Sequence, residues 1–310
     1  MTLPVLKDLA DQIDSLFLDA DAKQKTCPIW LAQTNKGQDD PAQDLAPHHR
    51  AWLNAIDFKP NSGSWALLAG DEGVDGVVFG GDDKYTSAPS PLHVGGLPSL
   101  LPAGDYHCAW RLENPGLAAL AWALGHYTFQ HYQAGSKRGD RRLRLPHGVN
   151  KQDVVNLATA TCLGRDLINI PANDLGPAEL ETAVRDVASA FGAECRVIAG
   201  DDLLTENLPL IHAVGRASAR APRLIDMRWG DPAAPKVTLV GKGICFDTGG
   251  LNIKPGAYMA LMKKDMGGAA AALALAAMIM GARLKVNLRL LIAAAENSMS
   301  SNAFRPGDVL

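Results

Sequence analysis

Residues 240–270 read VGKGICFDTGGLNIKPGAYMALMKKDMGGAA and set Lys242, Asp247, Lys254 and Asp265 among closely spaced glycines. Two carboxylates and two ammonium groups in such a stretch suggest a charged site, because glycine lets the backbone turn tightly or pass close to a ligand. Paired carboxylates with no histidine nearby suit cations held mainly by oxygen, and hydrolysis at two bridged metals is one use of such sites. A phosphate cradle is the weaker reading: Gly241-Lys242-Gly243 is followed by Ile244, not Ser or Thr, and lacks P-loop spacing. Each residue also has an ordinary role. Asp265 fits the N-cap of the apolar stretch after it, Lys242 and Lys254 fit surface lysines, and Asp247 fits the stabiliser of a Gly-Gly turn. The eight histidines (His48, His49, His93, His107, His126, His131, His147, His212) lie outside this cluster and form no HExxH or Cys/His arrangement.

The elements that must position these groups alternate. A strand at Val237–Val240 leads into the cluster, a helix starts from Asp265, and a strand follows at Val286–Ala293. Upstream, strands are expected at Cys195–Ala199, Ile211–Val214 and Leu224–Trp229. Pro177 opens a helix with Glu179 and Glu181 in its first turns, and Gly192 ends it after Phe191. Such alternation predicts an α/β sheet covered by helices on both faces. Before it, a long helix capped by Asn150 reaches about Ile168, with Val155, Ala158 and Cys162 on one stripe. Its place between two differently patterned halves marks an interdomain helix.

Residues 1–150 are richer in loop chemistry, around Asp39 to Pro41, Pro60 to Ser64, Gly80 to Lys84 and Pro89 to Pro102. Pro28–Leu31, Trp65–Ala69 and Val77–Phe79 fit strands between these loops. A helix is expected from Leu117 to Tyr132, with Leu117, Leu120, Ala121, Leu124 and Tyr127 facing the core. Lys137, Arg138, Arg141, Arg142 and Arg144 cluster after it, without the interleaved aromatics of a nucleic-acid patch, and read as a solvated loop.

The composition is that of a soluble globular protein of two domains: 310 residues, 47% hydrophobic, 20% charged. A net charge of -3 gives no general attraction to nucleic acid or to an anionic membrane. Five scattered cysteines without a CxxC pair read as reduced cytosolic thiols. The first residues lack a signal-peptide pattern. The apolar stretch Met266 to Gly281 falls short of the roughly 20 residues that span a bilayer, so it reads as a buried helix.

Five segments add a resemblance. GRDLINIPANDLGP (164–177), HAVGRASARAPRLIDMRW (212–229), VGKGICFDTGGLNIKP (240–255), MKKDMGGAA (262–270) and AENSMSSNAFRPGD (295–308) resemble, in order and spacing, the signature blocks of the leucyl (cytosol) aminopeptidase family of two-metal exopeptidases. The resemblance implies a smaller N-terminal α/β domain over 1–150, an interdomain helix over 151–170, and a mixed-sheet α/β catalytic domain over 171–310. It places metal ligands at Lys242, Asp247 and Asp265, with Asp247 contacting both ions and Lys242 binding as the neutral amine. It gives Lys254 the catalytic role of stabilising the oxyanion, and Met262 a place lining the substrate side-chain pocket. The implied cofactors are two divalent metal ions, manganese, zinc or magnesium. The implied partners are peptides with a free N-terminus and further copies of the chain, a hexamer in the family; the implied compartment is the cytoplasm. A non-catalytic or DNA-binding member of the same family is the alternative. One departure is Ser301, where the family often has Gly. The family's next block, with an Asp, a Glu and an Arg, is expected after RPGD, so the catalytic domain is expected to be incomplete at Leu310 and the 310 residues to be inactive or poorly folded alone.

Overall fold

The computed structural model describes residues 6–33, 44–71, 73–81, 90–132, 140–301 and 303–309. Of the expected loops, Asp39–Pro41, residues 82–84 of Gly80–Lys84 and Pro89 of Pro89–Pro102 lie outside them, as do the basic residues Lys137 and Arg138. The chain divides into two compact units, Asp11–Ala158, and Met1–Ala10 with Thr159–Leu310.

The first unit carries helices α1 (Leu6–Asp14, shared between the units by this division), α2 (Pro47–Ala55) and α3 (Pro115–Gly125). Its strands are β1 (Phe17–Leu18), β2 (Cys27–Ala32), β3 (Trp65–Gly70), β4 (Gly73–Gly80), β5 (Gly104–Cys108) and β6 (Arg141–Arg144). They form one sheet in the order β1-β6-β5-β2-β4-β3, parallel except for the β3/β4 pair. The three expected strands are all present. Ile29, Leu68, Val77 and Trp122 are among its fully buried side chains. Two expectations need correction. First, α3 stops at Gly125, not Tyr132, and buries Ala118, Ala119, Ala121, Trp122 and Ala123 rather than the leucine stripe. Gly125 lies so close to the Gly95 carbonyl that no Cβ fits there, and glycine weakens the helix at that point. Second, the described part of the basic run, Arg141–Arg144, is a strand. Leu143 points into the core while Arg142 pairs with Asp105 (2.7 Å) and Arg141 and Arg144 donate to the carbonyls of Leu101 and Gln24. Arginines engaged in this way are not a free basic surface.

Helix α4 (Lys151–Asn169) contains the division between the units. The Asn150 side chain accepts from the Gln152 N–H at 3.0 Å, as the expected cap. The second unit continues with α5 (Pro177–Phe191), β7 (Glu194–Ala199), α6 (Asp202–Thr205), α7 (Pro209–Gly215), β8 (Arg223–Trp229), β9 (Lys236–Asp247), α8 (Gly256–Met259), a 3-10 turn (Met262–Met266), α9 (Gly267–Gly281) and β10 (Asn287–Asn297). The sheet order is β7-β8-β10-β9, antiparallel except for the β10/β9 pair. Leu288, Leu290, Ile292 and Ala294 alternate along β10 toward the core, where α5 and α9 pack on β9 and β10. The opposite face carries Asp226 paired to Arg228 and Arg289, and Val240 of edge strand β9 is 75% exposed. Helix α7 also packs on β10, where a Cβ at Gly215 would lie 3.2 Å from Ala295 Cβ.

Ile211–Val214 is not a strand but the middle of α7: a short apolar run has no periodicity to tell helix from strand, and Pro209 at its start suits a helix N-terminus. β9 runs seven residues beyond Val240, to Asp247. Its glycines serve close packing: a Cβ at Gly241 would lie 2.6 Å from Ala269 Cα, so α9 can approach the strand only because none is there. With the 3-10 turn before it, α9 belongs to a helical stretch, Met262–Gly281, of 20 residues, long and apolar enough by length and composition to cross a bilayer. Leu273, Ala276, Ala277 and Met280 are buried, the pattern of a core helix.

Candidate metal centre

β9 brings two of the four charged residues onto one side. Lys242 stands opposite Ala293 and Asp247 opposite Asn297, so β9 uses five residues where β10 uses four. The register shifts between Ala295 and Glu296, which face Ile244 and Phe246, and Cys245 is the extra residue. On a regular strand a separation of five would send Lys242 and Asp247 to opposite faces; one bulge restores them to the same face.

Asp247 begins a tight turn. Gly249 (φ 89°) and Gly250 (φ 62°) occupy left-handed backbone that side chains resist, and the Gly249 N–H donates to Asp247 Oδ1 at 2.9 Å. The turn returns Lys254, whose N–H donates to the Thr248 carbonyl at 2.9 Å, so that its Nζ lies 3.1 Å from Asp247 Oδ2. Burial alone pushes the Asp247 carboxyl up; Gly249, Lys254 and Asn297 outweigh it and hold the group below the usual carboxylate range.

Asp265 sits in the 3-10 turn and does not cap α9, which starts beyond it with no side-chain cap. Its Oδ2 is 2.8 Å from Lys242 Nζ. That oxygen is buried, yet the contact lacks hydrogen-bond geometry. A buried carboxylate oxygen without a directed donor is what a cation would satisfy. The donor set, two carboxylates and an amine, is oxygen-rich and suits divalent ions of the manganese, magnesium or zinc type. Met262 opens the same turn, half-buried. It is not among the residues lining the nearby cleft of about 180 Å³, whose apolar wall includes Phe246, Ile253, Met259 and Phe304. Neighbouring Lys263 donates to the Asn169 carbonyl at 2.6 Å, and burial pulls its ammonium down.

Sequence reasoning missed the group beside Asp247. Asn297, at the end of β10, donates its side-chain amide to Asp247 Oδ1 at 2.8 Å, and its carbonyl accepts from Thr248 N–H (2.9 Å) and hydroxyl (2.8 Å). Glu296, one residue earlier, is 2% exposed. It accepts from Ser218 (2.8 Å), Arg220 (3.4 Å) and Arg305 (3.2 Å). Arg220 also donates to the carbonyls of Ala172 and Asn173, and Arg305 pairs with Asp308 at 2.9 Å. Three of the signature segments thus meet at one buried carboxylate. The available signal was a Glu-Asn pair ending an apolar strand, with Arg305 and Asp308 shortly after it. A separate grouping of His48, His49 and Asp75 lies in the other unit. His49 is 3.6 Å from Asp75, an ion-pair distance, and both histidines sit in the first turn of α2, where the helix dipole disfavours a cation.

Comparison with known proteins gives a consistent result. The pattern described as the cytosol aminopeptidase family, catalytic domain, matches residues 162–310, and that of the M17 aminopeptidase N-terminal domain matches residues 29–146. A probable cytosol aminopeptidase of Clostridium perfringens is 34% identical over 203 residues, which are 61% of this chain and 41% of that protein. The structure of cytosol aminopeptidase from Coxiella burnetii superposes with a TM-score of 0.83 at 41% identity, covering 94% of this chain and 63% of the other. The bottromycin maturation enzyme BotP in complex with Mn gives 0.73 at 27% identity, with 92% and 62% covered. The chain therefore spans less than two thirds of each of these proteins.

Proposed function

This chain belongs to the cytosol aminopeptidase family, and from that premise we propose that it carries part of the metal centre of an enzyme that releases N-terminal amino acids from peptides by two-metal hydrolysis. The observation that carries the reading is a set of two Lys–Asp pairs, one with an unsatisfied buried oxygen, whose Lys242 and Asp247 share one face of β9 and whose positions resemble the family's ligand positions. Lys242, Asp247 and Asp265 would hold the ions. Bound there, divalent ions supply Lewis-acid polarisation of the scissile carbonyl and a water activated at neutral pH. BotP, whose structure includes Mn, supports manganese as one occupant.

The side chains divide the remaining work. Lys254, held 3.1 Å from Asp247 by the Gly249-Gly250 turn, offers a positive charge to the oxygen that becomes negative as the carbonyl carbon turns tetrahedral. Met262 would face the side chain of the residue released. Substrates are peptides with a free N-terminus. The compartment is the cytoplasm, in line with the names of the relatives, and the assembly a homohexamer, as the resemblance implies. Three donors shared between two ions fall below the about four to six that such sites use, so the 310 residues alone are expected to be inactive.

Hydrolysis of leucine p-nitroanilide with added Mn2+ tests the reading, comparing these 310 residues with a polypeptide of its relatives' length. Activity in the longer form, abolished by Asp247→Asn and Asp265→Asn, is the expected result. Activity that survives both substitutions overturns the site assignment.

A further inference from the structure

The two oxygens of Asp247 have different surroundings. Oδ1 accepts from the Gly249 N–H at 2.9 Å and from Asn297 Nδ2 at 2.8 Å, which fills its two lone pairs. Oδ2 faces Lys254 at 3.1 Å and keeps acceptor capacity. A carboxylate with one oxygen fully engaged cannot rotate about its Cβ–Cγ bond without breaking both hydrogen bonds.

Asn297 is itself fixed. Its carbonyl receives the N–H and the hydroxyl of Thr248, so the end of β10 and the start of the turn are tied by the backbone whatever the side chain does. Glu296, next in the chain, is pinned among Ser218, Arg220 and Arg305. The bulge at Cys245 sets Asn297 opposite Asp247 rather than opposite Phe246.

We propose that Asn297 is the positioning residue for Asp247: its amide locks the carboxylate so that Oδ2 alone is presented to the metal and to Lys254. The proposal rests on the reading of Asp247 as a ligand. Groups that orient metal ligands through such hydrogen bonds change metal affinity by about 10- to 100-fold when removed. Asn297→Ala is the direct test, since it deletes the amide and leaves the backbone bonds to Thr248.

Binding of Mn2+ to the full chain, followed by electron paramagnetic resonance, is measured for the unsubstituted protein, Asn297→Ala and Asp265→Asn. Amide hydrogen exchange without metal is recorded in parallel. The expected result is a 10- to 100-fold weaker affinity and an altered line shape of bound Mn2+ in Asn297→Ala, with faster exchange confined to Thr248–Gly250. Unchanged affinity and line shape in Asn297→Ala, with binding lost in Asp265→Asn, overturns the proposal and leaves the ligand assignment standing. Mn2+ binding untouched by Asp265→Asn overturns both. Faster exchange spread across β9 and β10, instead of confined to the turn, marks a general structural role for Asn297 and also overturns it.

Discussion

A lysine beside a carboxylate is ordinarily a surface ion pair that contributes little. Lys254 differs in how its partner is held: Asp247 has its other oxygen engaged by Gly249 and Asn297, so the pair keeps one geometry. A preorganised charge of this kind matters most where negative charge develops during reaction. In a preparation competent for hydrolysis, Lys254→Met is therefore expected to lower kcat by about 100- to 1000-fold, with KM changed much less, the pattern of an interaction made chiefly in the transition state. Steady-state kinetics on a leucine anilide decide it, and a loss confined to KM would remove Lys254 from the chemistry. The sequence was informative about this pair and less so about its supports. Charged residues in a Gly-rich stretch stand out by type and spacing, whereas the N-cap reading of Asp265 fails only because a 3-10 turn intervenes before α9. Asn297 was legible as part of a signature segment but not as a neighbour of Asp247, because that proximity is set by parallel pairing between strands some fifty residues apart.

Elements were readable where a residue punctuates them. Asn150, Pro177 and Gly192 mark ends by local chemistry and α4 and α5 follow them. Strand limits were less readable, because Gly241 and Gly243 look like loop residues until α9 is seen packed on the first and β10 against the second, and Cys245 carries no local sign of a bulge. The joint between α5 and the sheet is electrostatic as well as apolar. Glu181 on α5 accepts from Arg223 of β8 at 2.5 Å and from Arg185 at 2.7 Å. Burial by itself raises the Glu181 carboxyl, but the two arginines prevail and hold it below its usual value of 4.5. A carboxyl depressed in the folded state contributes stability that is complete above its unfolded value and disappears as pH falls through its folded one. Glu181→Gln should thus lower the denaturation midpoint at pH 7 and leave it nearly unchanged near pH 2, the difference shrinking below about pH 4.5. Urea titrations at a series of pH values give the comparison, and a difference that stays constant across the series would show that Glu181 acts through packing alone.

At the scale of the whole molecule the described residues form two sheets, one with a core around Leu68 and Val78 and one with a core around Leu290 and Ile292. The change in pattern near Asn150 leads one to expect two units, and the compact division lies between Ala158 and Thr159, within α4. Each unit has its own parallel-strand pairing and its own fully buried aliphatic residues, so each has a separate source of cooperative stability. Replacing a buried leucine by alanine removes apolar contact and leaves a cavity, at a cost of about 2–5 kcal/mol. Applied to Leu68, that cost falls on the six-stranded sheet; applied to Leu290, it falls on the sheet that carries Lys242 and Asp247. Calorimetry of the 310-residue chain is expected to resolve two unfolding transitions, with Leu68→Ala lowering one and Leu290→Ala the other. Divalent metal raises the melting temperature only of the unit that binds it, so added Mn2+ should shift the transition sensitive to Leu290→Ala and leave its companion in place. A single transition lowered by either substitution and raised as a whole by Mn2+ would show instead that the two cores unfold as one cooperative body.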